Sequence, residues 1–204
     1  MGYLGSEQQT DKQHNHYKGE ITMKSFGVPI IGVMIDSITE LPQCREGLAI
    51  LDAAEKQGNI KFGGLFVNSI HRNTMTVINN LIMHTAPKGA ITRWIVAAGK
   101  ANHLTGTCDA YLRYAMGSQV PVFGAVFTNE EDPDESLLAG ILSIIQVPGH
   151  QVIFDPDNPT FEHACREALV ATELLPFIKA RPPKEAIEFE TIGEAKKFII
   201  NSMH

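Results

Sequence analysis

The sequence lacks any apolar run of the roughly 20 residues that a membrane-spanning helix requires. It also lacks an excess of positive charge, because 17 Lys and Arg residues are outnumbered by 23 Asp and Glu residues, for a net charge of −6. A basic nucleic-acid-binding surface is therefore not expected. The polar N-terminus has no apolar segment of the kind found in secretory signal peptides. These absences predict a cytoplasmic protein whose partners include neither a membrane nor a nucleic acid.

Cysteine is scarce, with three residues in a chain of 204. Cys44, Cys108 and Cys165 lie far apart without the spacing of metal ligands, and an odd count without a secretory signal fits reduced thiols. Each falls on the apolar side of a helix-like pattern. We therefore expect three small core residues rather than reactive groups.

Changes in composition toward both ends of the chain predict three regions. Residues 1–25 are rich in Gln, Lys, His and Gly and are expected to form a polar arm. Residues 26–180 are expected to form one α/β domain, which ends in a polar, proline-containing stretch. Residues 181–204 are expected to continue that linker and to end in a short helix, whose apolar side chains would cover a neighbouring subunit.

Short apolar runs that alternate with helical patterns indicate the fold class. The strand candidates are residues 29–35, 61–67, 91–97, 120–127 and 151–154. Helical spacing of apolar residues occurs at 44–51, 104–115, 137–145 and 161–169. Strands that are apolar almost throughout are typical of a sheet covered on both faces. Alternation of strands and helices then predicts a parallel sheet with right-handed crossovers.

The carboxyl ends of parallel strands meet at one edge of a sheet, where ligands collect near the topological switch point. After the first strand, Ser37 and Glu40 have the spacing of a helix capping box. Capping alone would explain them, and a phosphate bound at the helix start is the alternative. The acidic pair of Asp36 and Glu40 suits ribose hydroxyls better than a bare phosphate.

The second strand is followed by His71 and Arg72, just before a helix that Asn73 or Thr74 would cap. A cation near a helix N-terminus opposes the helix dipole. That cost is easier to understand if Arg72 meets an anion. An ordinary solvent-facing His-Arg pair is the alternative.

The third strand leads into an unusual set of polar and small residues: Gly99, Lys100, Ala101, Asn102 and His103. Glycine permits close backbone approach, and N–H groups at a helix start attract an anion. Imidazole is the commonest general acid and base near neutral pH. His103 therefore joins His71 as a candidate for proton transfer at the same edge of the sheet.

An acidic loop at 128–136 follows the fourth strand. Its carboxylates lack the regular spacing of a cation-binding loop, and acidic residues before a helix are favoured electrostatically in any case. No metal site is therefore predicted. His84, His150 and His163 are interpreted as structural residues.

Five motifs, in this order, resemble those of the PurE family of carboxyaminoimidazole ribonucleotide mutases and aminoimidazole ribonucleotide carboxylases. The stretch Asp36–Glu40 resembles the family's G-S-x-S-D loop, and Ser69–Arg72 resembles its S-A-H-R. The stretch Gly99–Gly106 resembles its G-G-A-A-H-L-P-G. Pro121–Gly124 and Ser143–Gly149 resemble the family's P-V-L-G and S-I-V-Q-M-P segments.

The resemblance implies a three-layer α/β/α sandwich with a parallel, flavodoxin-like sheet, assembled as a homo-octamer. It implies carboxyl transfer on an aminoimidazole ribonucleotide, a phosphorylated small molecule, without a metal or an organic cofactor. His71 would be the general acid and base, and His103 would orient it or share its proton. The substrate-binding residues would be Ser37, Thr39, Glu40, Ser69, Arg72, Gly99, Lys100, Ala101 and Asn102.

Several departures from the family pattern leave the substrate open. The first loop lacks its glycine and has Glu40 in place of the shorter aspartate, while Lys100 and Asn102 replace small residues and Thr105 replaces a proline. The acidic loop at 128–136 stands where the family has small residues. Two alternatives follow: a carboxylase of another nucleotide, such as a nicotinate mononucleotide, or a nucleotide-binding protein without catalysis.

Overall fold

The computed structural model describes residues 27–170, 188–189 and 191–202. Its sheet has four strands, which are β1 (Ile30–Ile35), β2 (Lys61–Val67), β3 (Arg93–Ala98) and β4 (Val122–Val126). All neighbouring strands pair in parallel, in the order β2-β1-β3-β4. The chain first moves outward from β1 to β2 and then crosses back to β3. The topological switch point therefore lies between β1 and β3, where ligands collect in sheets of this kind.

Helices cover both faces of this sheet. A 3₁₀ helix (Ile38–Cys44) runs into α1 (Arg45–Lys56), and α2 (Thr74–His84) follows β2. After β3, α3 (His103–Ala110) continues as a π-helical turn (Tyr111–Ala115). The remaining helices of the described residues are α4 (Pro133–Ile145), α5 (Phe161–Val170) and α6 (Ile192–Ser202).

Alternate side chains of the central strands enter two separate cores. Val33 and Ile95 belong to a buried cluster shared with α1 and α5, whereas Met34 and Val96 belong to a cluster shared with α2, α3 and α4. All four of these side chains are fully buried. Because both faces are covered, the strands are apolar almost throughout rather than alternating. The predicted three-layer α/β/α sandwich with a parallel, flavodoxin-like sheet is confirmed.

The predicted fifth strand, 151–154, is wrong. Only Ile153 forms a bridge, to Phe123, and further along β4 the N–H of Val126 donates to the carbonyl of Pro159 instead. The chain turns between these two contacts, at Asp155 to Asn158, so the ladder cannot continue. A short apolar run with prolines just beyond it pairs as an edge segment rather than as a strand.

The three cysteines are buried side chains of the two cores, as the helical spacing predicts. Removal from water raises the pKa of the Cys44 thiol to about 12 and also raises the pKa of Cys108 and of Cys165. A thiol that stays protonated near neutral pH is a poor nucleophile. These residues therefore contribute packing, not chemistry.

Three regions near the ends of the chain were predicted from sequence: a polar arm, a linker and a last helix. The polar arm at 1–25 and the linker at 179–186 lie outside the described residues. The predicted last helix is present as α6, which leaves Ile192 and Ile200 exposed. Its contact with a neighbouring subunit remains a prediction. Within the described ranges, every helix is too short or too polar to cross a bilayer.

Candidate active site

Three loops at the carboxyl edge of the sheet enclose a pocket of about 130 Å³. They are the junctions after β1, β2 and β3, so the pocket lies beside the switch point between β1 and β3. The residues that line it are Asp36, Glu40, Ile70, His71, Ala98, Gly99, Lys100, Ala101, His103 and Leu104. The sequence prediction that these junctions share one edge is therefore confirmed.

Two histidines from different junctions meet at this pocket. His71 Nε2 lies 3.0 Å from His103 Nδ1, with the rings edge to face at an interplanar angle of 72°. One imidazole donates and the other accepts, so the pair shares a single proton between these two nitrogens. Both side chains are exposed to solvent at the pocket mouth. This arrangement can pass a proton between a bound ligand and bulk water.

The junction that carries His71 is tied to the end of β1. Asp36 Oδ1 accepts the N–H of Ile70 at 3.0 Å, and the N–H of Asn73 donates to the carbonyl of Ser69 at 2.8 Å. The hydroxyl of Thr74 also donates to the carbonyl of Ile70. These bonds fix the turn immediately before α2. His71 therefore lies on a loop that hydrogen bonds hold in place.

Glu40 connects the first junction to the third. Its Oε2 accepts the N–H of Ser37 at 2.9 Å, and its Oε1 accepts the N–H of Gly99 at 2.6 Å. The first bond completes the predicted capping box, in which Ser37 also caps the 3₁₀ helix through the N–H of Thr39. Burial raises the pKa of the Glu40 carboxyl, although the N–H bonds from Gly99 and Ser37 oppose that shift and nearby Asp36 adds to it.

The turn between β3 and α3 brings its backbone close to this carboxylate. A side chain at Gly99 would place its Cβ 3.0 Å from Glu40 Oε1, so glycine gives the carboxylate the most room for this approach. Ala101 has a φ of 56°, in the left-handed region that L-residues seldom adopt. Backbone strain of this kind concentrates at ligand-binding sites.

The side chain of Asn102 holds the start of α3 in place. Its side chain is fully buried, and its Nδ2 donates to the carbonyl of Ala125 on β4 at 2.8 Å. Its Oδ1 accepts the N–H of Thr105 at 3.2 Å and caps α3. The side chain thus fixes the start of the helix that carries His103, and it does not line the pocket.

Lys100 lies at the rim. Its Nζ forms an ion pair with Glu135 Oε1 at 2.7 Å, and this bond raises the pKa of the lysine. Glu135 belongs to the first turn of α4, so the acidic loop after β4 reaches the edge of the site. Beside it, the Gln43 side chain exchanges two hydrogen bonds with the backbone of Thr128. These contacts hold the acidic loop next to the first and third junctions.

Of the predicted site residues, six line the pocket: Glu40, His71, Gly99, Lys100, Ala101 and His103. Four other predicted residues, which are Ser37, Thr39, Ser69 and Arg72, belong to the first and second junctions but are not part of the lining. The Ser37 and Thr39 hydroxyls are 2.8 Å apart, and Arg72 is exposed. The other four lining residues are Asp36, Ile70, Ala98 and Leu104. The sequence gave a signal only for Asp36, whose carboxylate with that of Glu40 suits ribose hydroxyls.

A second pocket of about 240 Å³ lies between β4, the 153–155 segment and α5. It contains an ion-pair contact of 3.4 Å between His163 Nε2 and Asp155 Oδ2, with Glu167 nearby in the lining. Although larger, it lies away from the switch point and from the two paired histidines. Within the described part of the chain, no group of three His, Cys, Asp or Glu side chains is arranged to hold a metal ion.

Comparisons with known proteins identify the fold of this chain but do not assign the chain to a family. No family model and no curated protein sequence matches the chain. Among solved structures, it is similar to a PurE2 variant of Treponema denticola, with 15% identity, a TM-score of 0.50 and coverage of 86% of this chain and 91% of that one. PurE of Treponema denticola gives 14% identity, a TM-score of 0.47 and coverage of 86% and 97%. The first likeness shows a shared PurE-like fold.

Proposed function

We propose that this chain is a PurE-like carboxyl-transfer enzyme that acts on an aminoimidazole ribonucleotide. The observation that carries the proposal is the 3.0 Å contact between His71 Nε2 and His103 Nδ1 at the pocket of the switch point. A structural role would not require two exposed histidines from separate junctions to meet over a pocket. The shared fold with a PurE2 variant supports the same reading.

In the proposed reaction, the carboxyl group moves between a ring-substituent nitrogen and a ring carbon of the nucleotide. The bond from nitrogen to carbon dioxide breaks, and a bond from the ring carbon to the same carbon dioxide forms. The ring carbon then loses its proton to His71, and the nitrogen regains a proton. His103 supports this exchange because its Nδ1 can hold the proton that His71 Nε2 gives up.

Residues around the pocket would bind the phosphate end of the ligand, and residues of the pocket itself would contact its reacting end. The phosphate group would bind the hydroxyls of Ser37 and Thr39, which are 2.8 Å apart, and the exposed guanidinium of Arg72. The turn at 99–101 lies against the reacting end of the ligand. Enclosure holds the released carbon dioxide near the ring, since orientation and exclusion of water provide most of the rate enhancement in such a step. The proposal requires no cofactor, and it includes the homo-octameric assembly of the family.

The first test is an absorbance assay with carboxyaminoimidazole ribonucleotide on the wild type and on His71→Asn. We expect turnover in the wild type and a loss of at least about 100-fold in kcat in the variant, because general acid–base catalysis typically contributes that much. His84→Asn is the matched control, since His84 lies at the end of α2 against Phe66. Wild-type protein that neither turns over nor binds the nucleotide at millimolar concentration would contradict the proposal.

A second candidate is a related carboxylase of a nicotinate-type mononucleotide. Two observations favour a changed ligand: Glu40 occupies the N–H of Gly99, and Lys100 adds a cation at the rim. Turnover with this nucleotide and none with aminoimidazole ribonucleotides would establish it. Binding of a nucleotide without turnover, unaffected by His71→Asn, would instead indicate a binding protein without catalysis.

A further inference from the structure

The two oxygens of Glu40 receive N–H groups from two separate junctions of the sheet. Ser37 follows β1, and Gly99 follows β3, yet both donors converge on one carboxylate at 2.9 and 2.6 Å. Two N–H donors on the two oxygens of one carboxylate form a bidentate, charge-assisted contact. The backbone thus builds a receptor for a carboxylate group, and Glu40 occupies it from within the chain.

This receptor opens into the pocket that contains the two histidines. Glu40, Gly99, His71 and His103 all line the same cavity of about 130 Å³. A carboxylate bound there in place of Glu40 would therefore lie in the cavity beside the proton-transfer pair. Glu40 Oε1 is the nearest atom over Gly99, because a Cβ at this position would lie 3.0 Å from it and 3.7 Å from the carbonyl oxygen of Phe127.

The surroundings of Glu40 disfavour its ionised form. Its carboxylate is half-buried and stands near Asp36, so both desolvation and like charge act against its ionised form. A side chain held against these two effects is easier to displace than one whose environment favours its charge. Displacement would move the glutamate charge toward water and leave the two N–H donors to an incoming group.

We propose that Glu40 is a specificity-determining residue whose carboxylate competes with the carboxyl group of the ligand for the N–H donors of Ser37 and Gly99. The identity of that ligand rests on the proposed function, whereas the receptor itself does not. The wild type is then expected to bind the uncarboxylated aminoimidazole ribonucleotide more tightly than its carboxylated counterpart. Like charges brought together at a buried site disfavour the second ligand.

The receptor is tested with a small carboxylate. Glu40→Ala frees both N–H donors, so 100 mM sodium acetate, compared with 100 mM sodium chloride, should raise the Tm of this variant by about 2–4 °C. The wild type should show no such difference. Glu55→Ala is the matched control, because Glu55 also accepts a backbone N–H, from Phe62 at 2.7 Å, but lies far from the pocket. Equal responses of all three proteins would overturn the proposal.

The ligand is tested with Glu40→Gln, which keeps the size of the side chain and removes its charge. Isothermal titration with both nucleotides should show a shift of about tenfold in relative affinity toward the carboxylated one. Unchanged relative affinity, with both nucleotides bound, would overturn the role of Glu40 and leave the proposed function standing. Acetate rescue of Glu40→Ala, with neither nucleotide bound by any protein, would support the receptor and contradict the proposed function.

Discussion

At the scale of single residues, the position of Glu40 connects the sequence to the chemistry of the site. The PurE family resemblance places an aspartate here, and the extra methylene of glutamate extends the carboxylate toward the third junction. In the structure the longer side chain meets the N–H of Gly99 at 2.6 Å. The Glu40 carboxylate thus links the loops that follow β1 and β3 and lines part of the pocket.

The free energy of unfolding should record this burial. The pKa of Glu40 is raised above 4.5 in the folded protein, so the unfolded chain releases its proton first as the pH rises. The contribution of this carboxyl to stability is therefore full below about pH 4 and falls as the pH passes through the raised value. We predict that the difference in unfolding free energy, wild type minus Glu40→Gln, decreases from pH 4 to pH 7 in urea titrations.

The control for this measurement is Glu55→Gln, in which the substituted glutamate is exposed on α1. Its difference from the wild type should change much less over the same pH range. A difference for Glu40→Gln that increases with pH would contradict the prediction. It would mean that the two N–H bonds outweigh desolvation and hold the pKa of Glu40 below its ordinary value.

Side-chain direction could not be predicted at every residue. The resemblance implies ligand contacts for the backbone at 99–102, but it gave no sign that the side-chain amide of Asn102 bonds to Ala125 and to Thr105 inside the protein. Asparagine before a helix suits a cap and a ligand contact equally well, and the backbone conformation decides between them. The histidine pair was foreseeable in part, since both residues follow strands, but the 3.0 Å contact depends on loop geometry.

At the scale of elements, the start of α3 depends on Asn102. We predict that Asn102→Ala lowers the free energy of unfolding by about 2–4 kcal/mol, because the helix loses its cap and the buried carbonyl of Ala125 loses its donor. Urea titration of both proteins measures this difference. Asp132→Ala, which removes the cap of α4 at a more exposed position, should cost less.

The outcome also bears on the site. Because α3 begins with His103, fraying of its first turn should loosen the contact with His71. Turnover in the proposed assay should therefore decrease in Asn102→Ala under conditions where the protein stays folded. Unchanged stability in Asn102→Ala would contradict the capping role.

Elements whose signals are local were predicted well. The capping box of Ser37 and Glu40 is present because it needs only three residues of spacing, and the helices begin near their apolar patterns. The segment at 151–154 failed because strand pairing is not local. The N–H of Gly124 on β4 donates to the carbonyl of Ile153, which forms the one bridge. The N–H of Val126 donates to the carbonyl of Pro159 instead, so the pairing does not continue.

At the scale of the whole molecule, a buried ion pair joins parts that are distant in sequence. Arg113 Nε donates to Asp109 Oδ1 at 3.1 Å, and its other nitrogens donate to the carbonyls of Ser118 and Val120, just before β4. Asp109 Oδ2 also accepts the N–H of Gln151. Composition and periodicity gave no sign of this network, because a charged residue within a helical pattern normally faces water.

The network should be essential to the stability of the α/β domain as a unit. Arg113→Ala leaves Asp109 without its cation in a site where both side chains are almost fully buried, so we predict a loss of about 3–5 kcal/mol in unfolding free energy. Lys56→Ala is the matched control, since Lys56 and Asp52 have the same spacing of four residues but are exposed, and it should cost less than about 1 kcal/mol. Urea titrations followed by circular dichroism compare the two. Equal small losses would contradict the prediction, because they would mean that water reaches Asp109 once the guanidinium is gone.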